Sequence, residues 1–540
     1  MSIEVVRGPG KALTIIAQSG LSWERQMRIT LSLLGIACCY AGAAEIVRTD
    51  AGAVEGTRTA EGYRSFKGVP FAAPPVGELR WKPPQPVKKW TGVRKATEFG
   101  PRCMQARVFS DMVFRDSGPS EDCLTLNVWT PATHAKEKLP VMVWIFGGGF
   151  VAGGSSEPRQ DGEYLARRGV VVVSMNYRLG LFGFFSHPEL TGESPKRASG
   201  NYGLLDQQAA LDWVRRNIAA FGGDPRKVTI FGESAGSFSV SAQMASPLSK
   251  GLFHRAIGES GAMFSATLAA RPLSDSEAAG ANFAAKIGAG SLADLRAKPA
   301  AELLELAQKT QGVRFSPNID GYFLPDSPLA IFAAGKQSKV PLLAGWNADE
   351  SNYRAFFAKL EPTVENYQER ARAQFGTYAD EFLKLYPATT AEEAKMSARD
   401  IAGDQFIGFS TWRWMEMHSR TGQSPVWRFR FDQVPPATPS RGAYHSAEIE
   451  FVFGALHSKE LPWRPEDHKV SDLMMRYWTN FAKTGNPNGH GLPMWPKHEE
   501  STGWPVLHIQ SEPRVAPDAN RARYEFLERF ATKKQDAVSN

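Results

Sequence analysis

Three short apolar runs in the first half of the chain place the strongest constraint on its fold. They are rich in β-branched residues, are bounded by Gly or Pro, and leave room for a helix between one run and the next. Such runs are typical of buried parallel strands joined by crossover connections. They read VMVWIF (141–146), VVVVSMNY (170–177) and KVTIFGES (227–234). The sequence therefore predicts an α/β fold built on a mostly parallel central sheet.

Further strands are expected on either side of this block. The segments 340–347 and 426–431 have the composition of later strands in the same sheet. The segment 124–129, LTLNVW, alternates between apolar and polar residues. Alternation indicates a strand with one buried face, so we expect an antiparallel strand at the edge of the sheet.

Helical segments are predicted between the late strands. Ser274 with Glu277 and Thr390 with Glu393 have the spacing of capping boxes, and Pro299 suits the first turn of a helix. Helical insertions at such positions are expected to form the walls of a binding cleft.

The third apolar run ends at a serine between two glycines. Residues 231–238 read FGESAGSF, with Ser234 between Gly232 and Gly236, and the small residues that follow predict a helix. A strand, a tight turn and a helix form the nucleophile elbow, which exposes a serine oxygen at the top of a sheet. A serine hydroxyl needs a base to remove its proton, so a histidine and an acid must lie elsewhere in the chain. The glycines of FGGGF (146–150) leave backbone N–H groups free to approach a developing oxyanion.

Composition and charge exclude several other classes of protein. The net charge is +7, from 63 basic and 56 acidic residues, but no run of five basic residues occurs, which argues against nucleic-acid binding. No stretch reaches the roughly 18 apolar residues of a membrane span. The chain has no H-E-x-x-H, no paired C-x-x-C and no Walker loop, so no metal or cofactor is expected. Without an internal repeat or a long linker, residues 44–540 are expected to form one domain.

Residues 1–43 are interpreted as an N-terminal extension followed by a secretory signal peptide. A basic segment precedes an apolar stretch over 29–40, and Ala41-Gly42-Ala43 has the small residues of a cleavage site after Ala43. We expect translation to begin at Met27 and the protein to be secreted or periplasmic. A buried N-terminal helix and a lipoprotein anchor at Cys38 are the alternatives.

The cysteine count agrees with export. Cys38 and Cys39 fall in the signal segment, which leaves Cys103 and Cys123 in the mature chain. Two cysteines in an exported protein predict one disulfide, worth about 3 kcal/mol for a loop of this length by chain entropy. Two buried free thiols are the alternative.

Taken together, these segments resemble the type-B carboxylesterases, the α/β-hydrolase family that includes bacterial carboxylesterases and cholinesterases. The resemblance covers essentially everything from Ala44 onward and follows the family order. It implies the α/β-hydrolase fold, with helical insertions lining an active-site gorge, and a serine hydrolase that acts on small-molecule esters. Beyond FGGGF and FGESAGS, it rests on GVPFAAPPVGELRWKPPQP (68–86), SEDCLTLNVWTP (120–131), NYRLGLFGF (176–184), GNYGLLDQQAALDWVRRNIAAFGGDP (200–225) and YWTNFAKTGNPNG (477–489).

The resemblance also assigns the partners of the serine. AGWNADES (344–351) matches the segment of the family's acid and implies Glu350, with Asp349 as the neighbouring rival. Seven histidines follow Glu350, and GAYHSAEIEFVFG (442–454) matches the family's histidine loop, which selects His445. Ser260 resembles a serine that supports the triad, and Glu233, next to the nucleophile, is placed with it as a supporting residue. The oxyanion donors implied are the N–H groups of Gly148, Gly149 and Ala235.

Substrate preference depends on departures from the family pattern. The cholinesterases bind their cation with a tryptophan in the loop closed by the disulfide; here that loop has none and carries Arg107 and Arg115. A quaternary ammonium substrate is therefore disfavoured, and an anionic ester is favoured. Some exported bacterial members remove tricarballylate from fumonisins, which is one hypothesis; a broad carboxylesterase, a carbamate or amide hydrolase and a non-catalytic binding protein are the others. Phe146 replaces the histidine or tyrosine common before the glycines, which predicts the loss of a polar contact near the pocket.

Overall fold

The computed structural model describes residues 4–5, 15–16, 45–59, 61–265, 267–436 and 438–539. The chain divides into two units, 1–44 and 45–540. In the first, strand β1 (Glu4–Val5) pairs antiparallel with β2 (Ile15–Ile16). The predicted signal peptide and its cleavage site lie outside the described residues, so that prediction stays open.

The second unit contains a central sheet flanked by helices. Its strands are β3 (Glu45–Arg48), β4 (Ala53–Arg58), β5 (Arg64–Pro70), β6 (Val93–Lys95), β7 (Arg102–Cys103), β8 (Pro119–Ser120), β9 (Thr125–Thr130), β10 (Leu139–Ile145), β11 (Val171–Met175), β12 (Gly223–Glu233), β13 (Arg255–Glu259), β14 (Arg271–Pro272), β15 (Asn318–Ile319), β16 (Leu342–Asn347), β17 (Val426–Phe431), β18 (Pro505–Ile509) and β19 (Arg514–Pro517).

The α-helices of the described residues are α1 (Glu163–Ala166), α2 (Gly180–Phe184), α3 (Pro188–Glu193), α4 (Tyr202–Asn217), α5 (Ala235–Ala245), α6 (Leu273–Lys286), α7 (Leu292–Ala297), α8 (Ala300–Lys309), α9 (Pro328–Ala333), α10 (Arg354–Phe357), α11 (Val364–Phe375), α12 (Ala379–Leu385), α13 (Ala391–Gly403), α14 (Phe409–Thr421), α15 (Ile449–Phe453), α16 (Pro465–Thr484) and α17 (Arg521–Ser539). A π-helical turn, Asp404–Gly408, joins α13 to α14.

The predicted parallel block is present at the centre of the sheet. The three apolar runs are β10, β11 and β12; β10 lies between the other two and pairs with both in parallel. The predicted later strands are β16 and β17, which continue the parallel block beyond β13. The full order is β19-β18-β17-β16-β13-β12-β10-β11-β9-β5-β4-β3, with β6 paired to β4. The α/β-hydrolase architecture expected from the sequence is therefore confirmed.

The predicted edge position of β9 is wrong, although its antiparallel direction is correct. It pairs antiparallel with β11 on one side and with β5 on the other. All six of its residues are buried, because β5, β4 and β3 extend the sheet beyond it. The alternating pattern therefore did not mark a solvent-facing side.

The capping predictions had mixed outcomes. The box at Ser274 is wrong: the N-cap of α6 is Pro272, two residues earlier, so the Ser274 hydroxyl lies inside the first turn. Pro299 is the N-cap of α8. Thr390 is the N-cap of α13, as expected, and its Oγ1 accepts the Glu393 N–H at 3.2 Å, while the Glu393 carboxylate accepts the Thr389 N–H at 2.7 Å. No helix among the described residues is long and apolar enough to span a bilayer.

The predicted disulfide is present in the structure. Cys103 and Cys123 are bonded, with their Cα atoms 5.0 Å apart, and both are buried. Cys103 ends β7, which pairs in parallel with β8 just before Cys123. The bond therefore closes a loop whose two ends already lie side by side at the carboxyl end of the sheet.

Candidate active site

Ser234 lies in a sharp turn between β12 and α5. Its backbone has φ +52° and ψ −123°, a conformation that non-glycine residues rarely adopt. The glycines beside it are required by the close approach of β10, because a Cβ at Gly236 would lie 1.9 Å from the carbonyl oxygen of Ile145 and one at Gly232 would lie 2.6 Å from it. The turn thus has the geometry of a nucleophile elbow, with Ser234 8% exposed.

His445 and Glu350 approach Ser234 from the carboxyl ends of neighbouring strands. The Nε2 of His445 is 3.0 Å from Ser234 Oγ, and its Nδ1 is 2.5 Å from Glu350 Oε2. Glu350 follows β16, and His445 lies in the loop between β17 and α15. The structure therefore brings these three residues together in one hydrogen-bonded chain, with each ring nitrogen of the histidine on a different partner.

The carboxylate of Glu350 is held on its other oxygen as well. Its Oε1 accepts hydrogen bonds from Ser260 Oγ at 2.6 Å and from the Asn347 N–H at 2.7 Å. The rival acid, Asp349, instead accepts the Ala443 N–H at 2.8 Å and pairs with Arg399. Asp349 thus fastens the histidine loop to the acid loop, and Glu350 is the acid that contacts His445.

The glycine-rich segment after β10 borders the serine. Gly148 and Gly149 have φ +97° and +64°, and a Cβ at Gly148 would lie 2.1 Å from the Ala152 carbonyl oxygen. Among the described residues, neither N–H donates to a protein oxygen. The N–H of Ala235, first in α5, has no acceptor within its own helix. None of these three N–H groups has a backbone acceptor among the described residues.

Comparison with known proteins identifies the family. The model of the carboxylesterase family matches residues 43–527. The chain belongs to this family. It is 40% identical over 481 residues to a protein named fumonisin B1 esterase from Sphingopyxis macrogoltabida, covering 84% of each chain. It is 38% identical over 494 residues to para-nitrobenzyl esterase of Bacillus subtilis, covering 88% of this chain and 96% of that one.

A solved structure agrees with the fold. Carboxylesterase EST55 of Geobacillus stearothermophilus superposes with a TM-score of 0.77 at 35% identity, over 89% of this chain and 99% of that one. The protein is therefore a carboxylic ester hydrolase with the α/β-hydrolase fold.

Buried carboxylates set the electrostatics of the carboxylesterase site. Burial opposes the charged form of His445, but the carboxylates of Glu233 and Glu350 outweigh it and raise the pKa of His445 to about 9. Glu233 Oε1 is 3.3 Å from His445 Nε2, and burial raises the pKa of this carboxyl to about 7. Glu233 therefore faces the same nitrogen that faces Ser234.

The sequence analysis missed two further acids behind the triad. Glu448 is fully buried and accepts a hydrogen bond from Asn347 Nδ2 at 2.5 Å, and burial raises its pKa well above the usual range. Glu259 is equally buried, accepts the Trp478 indole N–H at 2.7 Å, and has a pKa raised by burial to about 8. The sequence did offer a signal for these two acids. Each is a charged residue in a segment whose other residues predict a buried strand or helix.

The structure shows the surroundings of the residues at which this chain departs from the usual carboxylesterase sequence. Phe146 is buried and stacks on Tyr177 with ring centroids 4.4 Å apart, and the Tyr177 hydroxyl donates to the Phe146 carbonyl at 2.7 Å. Arg115 pairs with Asp161 at 2.8 Å, so its charge is compensated. Arg107 lines a cavity of about 450 Å³ together with Met112, which borders Gly148.

No group of three metal-ligating side chains occurs within the ranges that the structure describes.

Proposed function

We propose that Ser234, His445 and Glu350 hydrolyse carboxylic esters through an acyl-enzyme. His445 Nε2 takes the proton of Ser234 Oγ as this oxygen attacks the ester carbonyl, and Glu350 stabilises the imidazolium. The N–H groups of Gly148, Gly149 and Ala235 bind the oxyanion. His445 then returns the proton to the departing alcohol, and a water that it activates releases the acid from Ser234.

Ser260 and Glu233 support this machinery without contacting the reacting carbonyl. The hydroxyl of Ser260 holds Glu350 in the orientation that His445 needs. The carboxylate of Glu233, 3.3 Å from Nε2, favours the imidazolium that forms during attack. Both residues therefore act through His445.

The observation that carries the proposal is the Ser234–His445–Glu350 chain of contacts at 3.0 and 2.5 Å. Its test is labelling with an organophosphate ester followed by peptide mass spectrometry. The expected result is one phosphoryl group on Ser234, none in Ser234→Ala, and no esterase activity in that variant. Labelling at Ser260, or full activity of Ser234→Ala, would refute the assignment.

We infer further that the preferred substrate is an ester of a polycarboxylic acid, of the tricarballylate type found in fumonisins. The support is the 40% identity to a protein named fumonisin B1 esterase, together with the basic net charge of +7. The test offers the purified enzyme equal amounts of a butyrate ester and a tricarballylate ester of the same alcohol. Preference for tricarballylate supports the inference; preference for butyrate indicates a broad carboxylesterase.

We also propose that the enzyme is exported, with residues 44–540 as the mature domain. The support is the signal-like pattern before Ala43 and the disulfide, which forms in oxidising compartments. N-terminal sequencing of the protein recovered outside the cytoplasm of a bacterial host is expected to begin at Ala44. An intact N-terminus in the cytoplasmic fraction would contradict export.

A further inference from the structure

A cavity of about 510 Å³ opens beside the acid and histidine of the triad. It lies between the loop after β16, helix α13 and the loop that leads to His445. Its volume falls in the range of about 300–1,000 Å³ that is usual for small-molecule sites. Its lining includes both His445 and Glu350, so the cavity borders two of the three triad residues.

Three basic side chains line this cavity, and they differ in whether a carboxylate lies close enough to neutralise them. Arg399 pairs with Asp349 at 2.9 Å, a carboxylate already held by the histidine loop. Lys395 pairs with Glu392 at 2.6 Å, but that glutamate is 78% exposed. Arg441 has no carboxylate within 4.0 Å among the residues that the structure describes.

Arg441 is nevertheless positioned by its neighbours. Its guanidinium lies over the ring of Tyr444, with Cζ 3.8 Å from the ring centroid. Tyr444 is buried and directly precedes His445. The other cation near that ring, Lys459, pairs with Glu450 at 2.5 Å and so is compensated. Stacking on the ring occupies one face of the guanidinium. The N–H groups at its edge, whose geometry matches a carboxylate, remain free.

The acids of the cavity do not provide a partner for Arg441. Three acids line the cavity. Glu350 is bound to His445, Ser260 and the Asn347 N–H. Asp349 is bound to Arg399, and Glu392 to Lys395. An uncompensated arginine close to the triad is therefore available to a ligand.

We propose that Arg441, assisted by Lys395, binds a carboxylate of the ester substrate in this cavity. The proposal rests on the function proposed above and adds the residue that selects an anionic substrate. A guanidinium binds a carboxylate with two parallel hydrogen bonds. Lys395 lines the same cavity, and its partner Glu392 is mostly exposed, so the ammonium can turn from Glu392 to the ligand. A substrate with more than one carboxylate is therefore retained better than its uncharged counterpart.

The test compares Arg441→Gln and Arg441→Lys with Arg215→Gln. Arg215 is an exposed arginine on α4 that pairs with Asp212, so its replacement removes the same charge at the surface. For each protein, kcat/KM is measured on a tricarballylate ester and a butyrate ester of the same alcohol. The inhibition constant of free tricarballylate against the butyrate ester is measured in parallel.

Arg441→Gln is expected to lower the tricarballylate-to-butyrate ratio of kcat/KM by about ten- to a hundredfold, the size of a lost hydrogen bond to a charged group. Tricarballylate inhibition is expected to weaken by a similar factor, Arg441→Lys to fall in between, and Arg215→Gln to match the unmodified enzyme. Equal ratios in Arg441→Gln and Arg215→Gln would overturn the subsite. The preference of the unmodified enzyme tests the proposed substrate separately.

Discussion

Glu233→Gln is expected to shift the pH dependence of the esterase toward acid. The carboxylate of Glu233 lies 3.3 Å from His445 Nε2 and helps to raise the pKa of that imidazole to about 9. The reaction needs Nε2 unprotonated, so kcat/KM rises with pH through the pKa of His445. Glutamine keeps the shape of the side chain and removes its charge, so the pKa of His445 falls.

The size of the shift follows from the distance. Two unit charges 3.3 Å apart interact by about 5 kcal/mol at an effective dielectric constant of about 20. This is an upper limit, because the His445 side chain is 26% exposed and water screens the pair. With about 1.4 kcal/mol per unit of pKa, we expect the midpoint to fall by about one to two pH units.

The assay measures the hydrolysis of ethyl butyrate by titrating the acid that is released. It covers about pH 5 to 10, so that the expected pKa of His445 lies within the range for both proteins. The substrate is uncharged, so its own ionisation does not enter the profile. Relative to its plateau, the variant should be more active at neutral pH than the unmodified enzyme. A midpoint that stays the same, or that moves toward alkali, would refute the electrostatic role of Glu233.

Three other substitutions test the framework of the site. Ser260→Ala should lower kcat at least tenfold with little change in KM, because it removes a hydrogen bond of 2.6 Å to Glu350 and no contact with substrate; an unchanged kcat would contradict this. Replacing Cys103 and Cys123 by serine should lower the free energy of unfolding by about 3 kcal/mol, measured by denaturant titration under oxidising conditions. Gly236→Ala should reduce both stability and activity, since its Cβ would lie 1.9 Å from a carbonyl oxygen of β10; a fully active, equally stable variant would show that the turn relaxes.

Local sequence patterns were sufficient to predict the parallel strands at the centre of the sheet and the turn that carries the nucleophile. The runs at 141–146, 170–177 and 227–234 are β-branched and apolar because buried parallel strands are covered on both faces. The spacing of Gly232 and Gly236 around Ser234 reflects the contact with β10 that excludes a Cβ. These features were predictable because each depends on a short stretch of chain.

Position within the sheet was less predictable. The antiparallel direction of β9 was expected, but its edge position was wrong, since β5 comes from an earlier segment and covers its outer side. The capping box at Ser274 was wrong because Pro272, two residues earlier, is the N-cap of the helix. In both cases a neighbour outside the local pattern changed the outcome.

The sequence by itself determined the class of fold, the serine elbow and, through family resemblance, the segments that carry the acid and the histidine. Tertiary structure decided the charges around them: Glu233 beside Nε2, Asp349 on Arg399 rather than on His445, and Arg115 compensated by Asp161. Periodicity and turn spacing follow from local backbone geometry, which neighbouring residues specify. The pKa of a buried group depends on whichever charges the fold brings within a few ångströms, and those come from distant parts of the chain.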